Sequence, residues 1–268
     1  MLHLSTALTA YVLVLAAVLG AVMGSFTSCA AGRFCAGEDW TKGRSHCDAC
    51  GHTLGVPDLI PIFSWLFLKG RCRHCGAKIS VRCPLTELLS AAAFVGVVLR
   101  FDVTVQTAQY LILCVILLAV GLVDYDTGII PDKLLLAIFT DWLMFLPFLN
   151  GGVLWENLKT GILAALASSV PLLIVSVIMD KVLGKESMGG GDIKLFFVCG
   201  LFFKWKYVLF LLIVSCIFGI VFAVVTGKTT GDAENPRAFP FGPAIVLGVY
   251  VSLLAAQTAT DAYLRLFL

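Results

Sequence analysis

Apolar segments long enough to cross a lipid bilayer make up most of this chain. Of its 268 residues, 59% are hydrophobic and 13% are charged, whereas soluble domains carry about 25% charged residues. A helix needs about 20 mostly apolar residues to span the hydrocarbon core. Stretches of about this length run from Leu8 to Phe26, Pro84 to Leu99, Val105 to Val123, Leu134 to Leu149, Asn157 to Met179, Tyr207 to Val225, and Phe241 to Leu268. The sequence therefore predicts an integral membrane protein.

A shorter apolar run, Ile193 to Phe203, is expected to cross the membrane as well, with a re-entrant segment as the alternative. The predicted fold class is thus an all-α polytopic membrane protein with about eight transmembrane helices. It also has a small polar insertion.

Basic residues predict the orientation, because loops on the cytoplasmic side retain an excess of Lys and Arg. The polar insertion holds eight of the chain's 19 basic residues: Arg33, Lys42, Arg44, Lys69, Arg71, Arg73, Lys78 and Arg82. This insertion is predicted to face the cytoplasm. The expected domains are a first transmembrane helix in residues 1–32, a cytoplasmic cysteine domain in residues 33–83, and a membrane core in residues 84–268.

Two C-x-x-C pairs lie inside this insertion, which is too short to bury a self-sufficient core without a cross-link. Cys47 and Cys50 are separated from Cys72 and Cys75 by 21 residues, and a glycine follows each pair. This spacing is typical of zinc ribbons, in which four thiolates hold one structural Zn²⁺. A pair of redox-active dithiols, or disulfides if the loop faced outside, is the alternative.

Carboxylates near apolar helices are the candidates for chemistry, because an ionisable group close to the bilayer is costly. Asp124 ends the third apolar stretch, and Asp192 follows three glycines after the fifth. Two crossings fit between these aspartates, so both are expected at one membrane face. Two close carboxyl groups share a proton, and one then acts as base while the other acts as acid. This is the chemistry of aspartyl peptide hydrolysis.

Residues around the two aspartates are predicted to support them. Gly189, Gly190 and Gly191 permit unusual backbone angles and close approach of an extended substrate. Asp126 cannot share a helix face with Asp124, so it is expected to be a solvated neighbour or a supporting carboxylate. Asp132 is expected to cap the next helix.

Several motifs along the chain match one known family when they are taken together. They are Gly24-Ser25-Phe26 with Arg33, the four cysteines, Pro57 through Pro61 to Ser64-Trp65, Arg82 with Pro84-Leu85 and Glu87, the Asp124 segment ending at Pro131-Asp132, Gly184-Lys185 through Met188 to Asp192 and Lys194, and Pro240-Phe241-Gly242-Pro243. In these motifs the chain resembles the type IV prepilin peptidases, bifunctional leader peptidases and N-methyltransferases of bacterial inner membranes.

The resemblance implies that Asp124 and Asp192 are the catalytic pair of an aspartic endopeptidase. It implies cleavage of type IV prepilins or pseudopilins after a Gly, at the cytoplasmic face of the bacterial inner membrane. It also implies methylation of the new N-terminal residue, with S-adenosylmethionine as the methyl donor.

Three further residues have two interpretations each. Lys185 and Lys194 are expected either to act on Asp192 or on an acidic residue of the substrate, or to be ordinary lysines of the inner interface. Glu87 is expected to contact a substrate amine or Arg33, or to cap its helix.

Two other functions remain open from the sequence. One is a related G-x-G-D membrane peptidase without methyltransferase activity. The other is a transporter or scaffold with a zinc-stabilised cytoplasmic knob. Inverted repeats and mid-membrane charges would favour this second function, and we identify neither feature in the sequence. Nucleotide binding at Gly227-Lys228-Thr229-Thr230 is excluded because Phe222 stands where a phosphate loop requires Gly, and no nucleic-acid partner is expected.

Overall fold

The computed structural model describes residues 6–39, 43–149, 153–184, 188–226, 231–232, 235–236 and 240–267. Most of these residues are helical. The exceptions are the connecting loops, much of the polar insertion, and one very short hairpin in which Gly231–Asp232 pairs antiparallel with Asn235–Pro236. The helices are α1 (Thr6–Cys35), α2 (Phe63–Phe67), α3 (Arg82–Phe101), α4 (Val105–Thr127), α5 (Asp132–Phe145), α6 (Leu154–Leu183), α7 (Gly190–Gly200), α8 (Val208–Thr226) and α9 (Gly242–Phe267). The predicted all-α class is confirmed.

The number of membrane helices differs from the prediction. Among the described residues, six helices are long and apolar enough to cross a bilayer, and they are α1, α3, α4, α6, α8 and α9. The other two predicted crossings form α5, with 14 residues, and α7, with 11 residues. These helices are only about 21 Å and about 17 Å long, less than the hydrocarbon thickness of about 30 Å. The apolar run Leu134 to Leu149 extends beyond the end of α5 at Phe145, and the run Ile193 to Phe203 extends beyond the end of α7 at Gly200. The expected count of about eight is therefore corrected to six.

The chain divides into two compact units, residues 1–119 and residues 120–268. In the first unit, α1 packs along α3 through small residues. A Cβ added at Gly20 would lie 2.7 Å from the carbonyl oxygen of Ser90, and one added at Gly24 would lie 2.9 Å from the Cα of Glu87. Such close backbone approach is how membrane helices gain packing contacts where lipid offers no hydrophobic driving force.

The polar insertion folds as a small domain between α1 and α3. Backbone bridges join His46 to Thr53 and Arg71 to Lys78, so each C-x-x-C pair is at the turn of a short hairpin. The Trp65 indole N–H donates to the carbonyl of Ile79 at 3.3 Å. Helix α1 continues to Cys35, so Arg33, the first residue of the predicted cysteine domain, still lies in the helix.

In the second unit, α6 and α7 pack through another close approach. A Cβ at Gly200 would lie 2.8 Å from the Cα of Ala165, and the side chain of Trp142 fills the space beside Gly161. Helices α8 and α9 meet in the same manner, because a Cβ at Gly248 would lie 2.7 Å from the Cα of Ser215. This packing holds α7 against α6 and α9 against α8, and these are the two helices whose first turns contain Asp192 and Gly242.

Replacing Gly20 by Ala is expected to destabilise the first unit, whereas the same change at Gly32 is not. The new methyl group at position 20 meets the α3 backbone, while a Cβ at Gly32 has no atom within 4 Å. Overpacking of this kind costs about 1–3 kcal/mol. Thermal unfolding of both purified variants in one detergent is the measurement. Equal melting temperatures for the two variants would contradict the packing of α1 on α3.

Candidate active site and metal site

Asp124 lies in the last turn of α4 and is buried, with 4% of its surface exposed. Its Oδ2 accepts the backbone N–H of Gly242 at 2.8 Å. Gly242 is the first residue of α9, so this carboxylate satisfies one of the free N–H groups at a helix N-terminus, where the helix dipole favours negative charge. Any side chain at position 242 would collide with it, because a Cβ there would lie 2.8 Å from Cγ of Asp124.

Asp192 is the third residue of α7 and is partly buried. Its backbone N–H donates to the carbonyl of Gly189 at 3.1 Å, which closes the first turn of the helix. Its Oδ2 lies over the same residue, 3.3 Å from where a Cβ of Gly189 would be. The carboxyl group therefore folds back toward the N-terminus of its own helix.

Asp124 and Asp192 are near enough to interact electrostatically. Burial and then the negative charge of Asp124 raise the pKa of the Asp192 carboxyl group to about 7. Asp124 is held by a neighbouring helix, whereas Asp192 is more accessible and lies beside a run of glycines. Two interacting carboxyl groups of this kind can share one proton and activate a water molecule between them.

The glycine run contributes space and not unusual backbone angles. None of Gly189, Gly190 and Gly191 has a positive φ, although we expected such angles. A Cβ at Gly190 would have no atom of the described residues within 4 Å, whereas one at Gly191 would lie 3.3 Å from the Cβ of Ile130. The backbone at Gly190 is therefore open to an approaching chain.

The remaining charged candidates lie outside this pair. Asp126 is exposed, and Lys194 forms a salt bridge with Asp132 in which Nζ and Oδ1 are 2.8 Å apart. Asp132 is the first residue of α5 and makes no side-chain cap, because Pro131 occupies the capping position. Lys185 lies outside the described residues.

Asp141 is a buried carboxyl group that the sequence interpretation missed. It lies in α5 with 4% of its surface exposed, and neither of its side-chain oxygens has a hydrogen-bond partner among the described residues. A lone acid in the apolar run Leu134 to Leu149 was the signal available in the sequence.

Glu87 lies in the first unit, in the second turn of α3, and is 7% exposed. Its Oε2 accepts the backbone N–H of Ile62 at 2.6 Å. Glu87 thus connects the polar insertion to a membrane helix. It does not cap α3, because Val81 occupies the N-cap position.

The four predicted cysteines meet in one cluster. Their Sγ atoms all lie within 4.8 Å of one another, and Cys47 and Cys75 are 3.9 Å apart. Tetrahedral thiolates at about 2.3 Å from a Zn²⁺ ion would be about 3.8 Å apart. Gly51 and Gly76 follow the pairs with φ of +68° and +72°, which is the left-handed turn that favours glycine. The cluster can hold a metal ion.

Backbone N–H groups favour the thiolate form of Cys72. N–H groups of Cys75 and then His74 point at Cys72 and lower the pKa of its thiol to about 7. The pKa of the Cys75 thiol is instead raised to about 11, because the backbone N–H of Ala77 is outweighed by burial and by the neighbouring thiols. Thiolates are the form that binds a metal ion. With four sulfur ligands, no coordination position remains open for chemistry, so the metal would be structural.

Two family models match the chain. The model described as "Bacterial Peptidase A24 N-terminal domain" matches residues 18–101. The model described as "Type IV leader peptidase family" matches residues 111–224. The first match includes all four cysteines, and the second includes both Asp124 and Asp192.

Similar proteins carry consistent names. A "Prepilin leader peptidase/N-methyltransferase" of Aeromonas salmonicida (strain A449) is 33% identical over 225 residues, 84% of this chain and 76% of that protein. One of the same name in Bacillus subtilis (strain 168) is 30% identical over 251 residues, 94% of this chain and 97% of that protein. A "Type 4 prepilin-like proteins leader peptide-processing enzyme" of Escherichia coli O78:H11 is 36% identical, covering 76% of this chain and 73% of that protein. No solved structure matches. The resemblance predicted from the motifs is confirmed.

Replacing Cys72 by Ser is expected to abolish metal binding, because three thiolates and a hydroxyl do not hold Zn²⁺ as four thiolates do. Cys83→Ser is the matched control, since Cys83 lies outside the cluster. Elemental analysis of the purified proteins should find about one metal ion per chain in the wild type and the control, and close to none in Cys72→Ser. Acidification should release the metal, because protons compete for the thiolates. Equal metal content in both variants would contradict the site.

Proposed function

The chain belongs to the type IV leader peptidase family, and from this membership we propose that it is a membrane aspartic endopeptidase for prepilins or pseudopilins. It cleaves the leader peptide after a Gly and methylates the N-terminal residue that cleavage releases. The proposal extends to this chain the activities that appear in the names of its relatives.

The electrostatic interaction between Asp124, at the end of α4, and Asp192, at the start of α7, is the feature that supports the peptidase proposal. One carboxyl group accepts a proton from water as it attacks the scissile carbonyl. The other donates a proton to that carbonyl or to the departing amine. The Gly242 N–H keeps Asp124 in a fixed position through the reaction, so less reorganisation is needed when the substrate arrives.

The open backbone at Gly190 supports a binding mode for the scissile segment. An extended peptide approaches α7 at its N-terminus, where no side chain of the described residues lies near Gly190. The apolar segment that follows the cleavage site in the substrate lies in the bilayer. This arrangement places the Gly of the leader next to Asp192.

Location and orientation are proposed from the family and from the distribution of basic residues. The protein is a multi-pass protein of the bacterial inner membrane, and its cysteine domain and two aspartates face the cytoplasm. The excess of basic residues in the cysteine domain supports this orientation. Its partners are prepilin substrates and the lipid bilayer.

Zinc is the metal that the cysteine cluster is proposed to hold. Four thiolates at tetrahedral spacing select Zn²⁺ among the common divalent ions. The ion would cross-link the two hairpins of a domain that is too small to be stable by its apolar core alone.

Methyl transfer is proposed from the relatives' names. S-adenosylmethionine would supply the methyl group to the released N-terminal amine. Among the described residues we can assign no group of side chains to this cofactor, so no step is derived through it. A peptidase that lacks the second activity is the alternative, and the two differ in whether the cleaved product gains a methyl group.

Replacing either Asp124 or Asp192 by Asn is expected to lower cleavage of a model prepilin by about a thousandfold or more. Asn at position 124 keeps an oxygen that accepts the Gly242 N–H, so the fold should persist. Mass spectrometry of the substrate, with and without S-adenosylmethionine, measures cleavage and methylation together.

Asp126→Asn is the matched control, because Asp126 is an exposed carboxylate two residues from Asp124. It should retain cleavage close to that of the wild type. Full cleavage by the Asn variant at position 124 or 192 would remove that residue from the catalytic pair.

Replacing Gly190 by Ala tests where the substrate binds. The methyl group meets no atom of the enzyme, so the melting temperature should not change, while kcat/KM should fall about tenfold because the substrate backbone is displaced. In Gly191→Ala the new methyl presses on Ile130, so the melting temperature should fall as well. Unchanged kcat/KM in Gly190→Ala would place the peptide elsewhere.

A further inference from the structure

Large apolar side chains are exposed on one part of the cysteine domain, outside the membrane helices. In residues 59–67 the exposed fractions are 43% for Leu59, 49% for Ile60, 59% for Phe63, 57% for Leu66 and 83% for Phe67. Soluble surfaces rarely carry such a cluster without a binding function. We call residues 59–67 the apolar segment.

A hydrogen bond fixes the depth of this segment relative to the membrane helices. The N–H of Ile62 reaches Oε2 of Glu87 at 2.6 Å. Glu87 is five residues beyond the start of α3, or about 8 Å along the helix axis. It packs against Gly24 of α1, which is inside the apolar run Leu8 to Phe26. The backbone at Ile62 therefore lies at the level where the apolar part of α1 ends.

The local backbone shows that this position is imposed by the surroundings. Ile62 has φ of 64° and ψ of −53°, and the Phe63 N–H donates to the Pro61 carbonyl at 2.6 Å. This is a γ-turn of the rare positive-φ type, which is strained for a β-branched residue. Such strain persists only where neighbouring groups hold it. The buried Glu87 carboxylate does so, and it also satisfies an N–H in a region poor in water.

Charge next to the apolar segment fits a lipid surface. Residues 59–82 contain five basic residues and no Asp or Glu. The basic residues are Lys69, Arg71, Arg73, Lys78 and Arg82. Arg73 pairs with Asp58 at 2.8 Å. Interfacial segments bind a membrane in this way, with aromatic and aliphatic side chains in the acyl boundary and basic side chains near anionic phosphates.

We propose that the apolar segment is an interfacial anchor that docks the cysteine domain onto an anionic phospholipid surface. The hydrogen bonds from Trp65 to Ile79 and from Ile62 to Glu87 bring the apolar segment beside the start of α3, where Val81 and Leu85 are also exposed.

Phe63 and Phe67 insert among the acyl chains. Lys69, Arg71 and Lys78 bind the phosphates, whereas Arg73 is paired with Asp58. This inference does not depend on the proposed function.

Photo-crosslinking of the full-length protein tests the anchor. A benzoyl-phenylalanine residue replaces Phe63 or Phe67, which preserves an aromatic side chain, and the matched control carries it at Thr53, an exposed residue of the polar hairpin. Each protein is irradiated in nanodiscs of phosphatidylethanolamine and phosphatidylglycerol. Lipid adducts at positions 63 and 67 should exceed those at position 53 by about tenfold or more. Metal content confirms that each variant is folded.

Two results would overturn the proposal. Adducts to protein in place of lipid would identify the segment as a contact with a second copy or a substrate. Equal lipid yields at all three positions would mean that no anchor exists.

The charge component has its own measurement. Backbone amide exchange in residues 59–69 should be about fivefold slower in the anionic nanodiscs than in phosphatidylcholine nanodiscs. Equal exchange rates would overturn the role of the basic residues.

Discussion

Close approach of backbones at glycine is the constraint on which the rest of this structure depends. In lipid, two helices gain stability from packing and from satisfied polar groups. At Gly20 and Gly24 the missing side chains allow α1 to contact α3, and at Gly200 they allow α7 to contact α6. At Gly242 the same kind of approach brings a backbone N–H to within 2.8 Å of Asp124. The feature that packs the helices therefore also positions the proposed catalytic carboxylate.

The two aspartates differ in how firmly their surroundings hold them. Asp124 lies in the last turn of α4, and its carboxylate accepts the N–H of Gly242 at the start of α9. Two helices therefore hold it in position. Asp192 depends on a single short helix and lies beside an open glycine. A fixed group and a more accessible group suit the proposed reaction, in which the substrate approaches from the bilayer. The Lys194 and Asp132 salt bridge lies on an exposed surface, where such pairs contribute about 0–1 kcal/mol.

The cysteine domain is stabilised from two sides. The sulfur cluster can bind a metal ion that joins its two hairpins, and the Glu87 bond to Ile62 joins it to α3. A domain of this size buries little apolar surface. Its exposed apolar side chains are consequently available for lipid, which accounts for their presence in an otherwise polar insertion.

The sequence by itself determined the membrane class, the cysteine cluster and the family, and it predicted the pair of aspartates, because each depends on composition or on short local spacing. Tertiary structure alone decided the number of long helices, since apolar runs at Leu146 and Leu201 continue where the helices have ended. It also decided the partners of Glu87, Lys194 and Asp124, and the burial of Asp141. A side chain's partner depends on which helix packs beside it, and helix packing joins residues that are far apart in the chain.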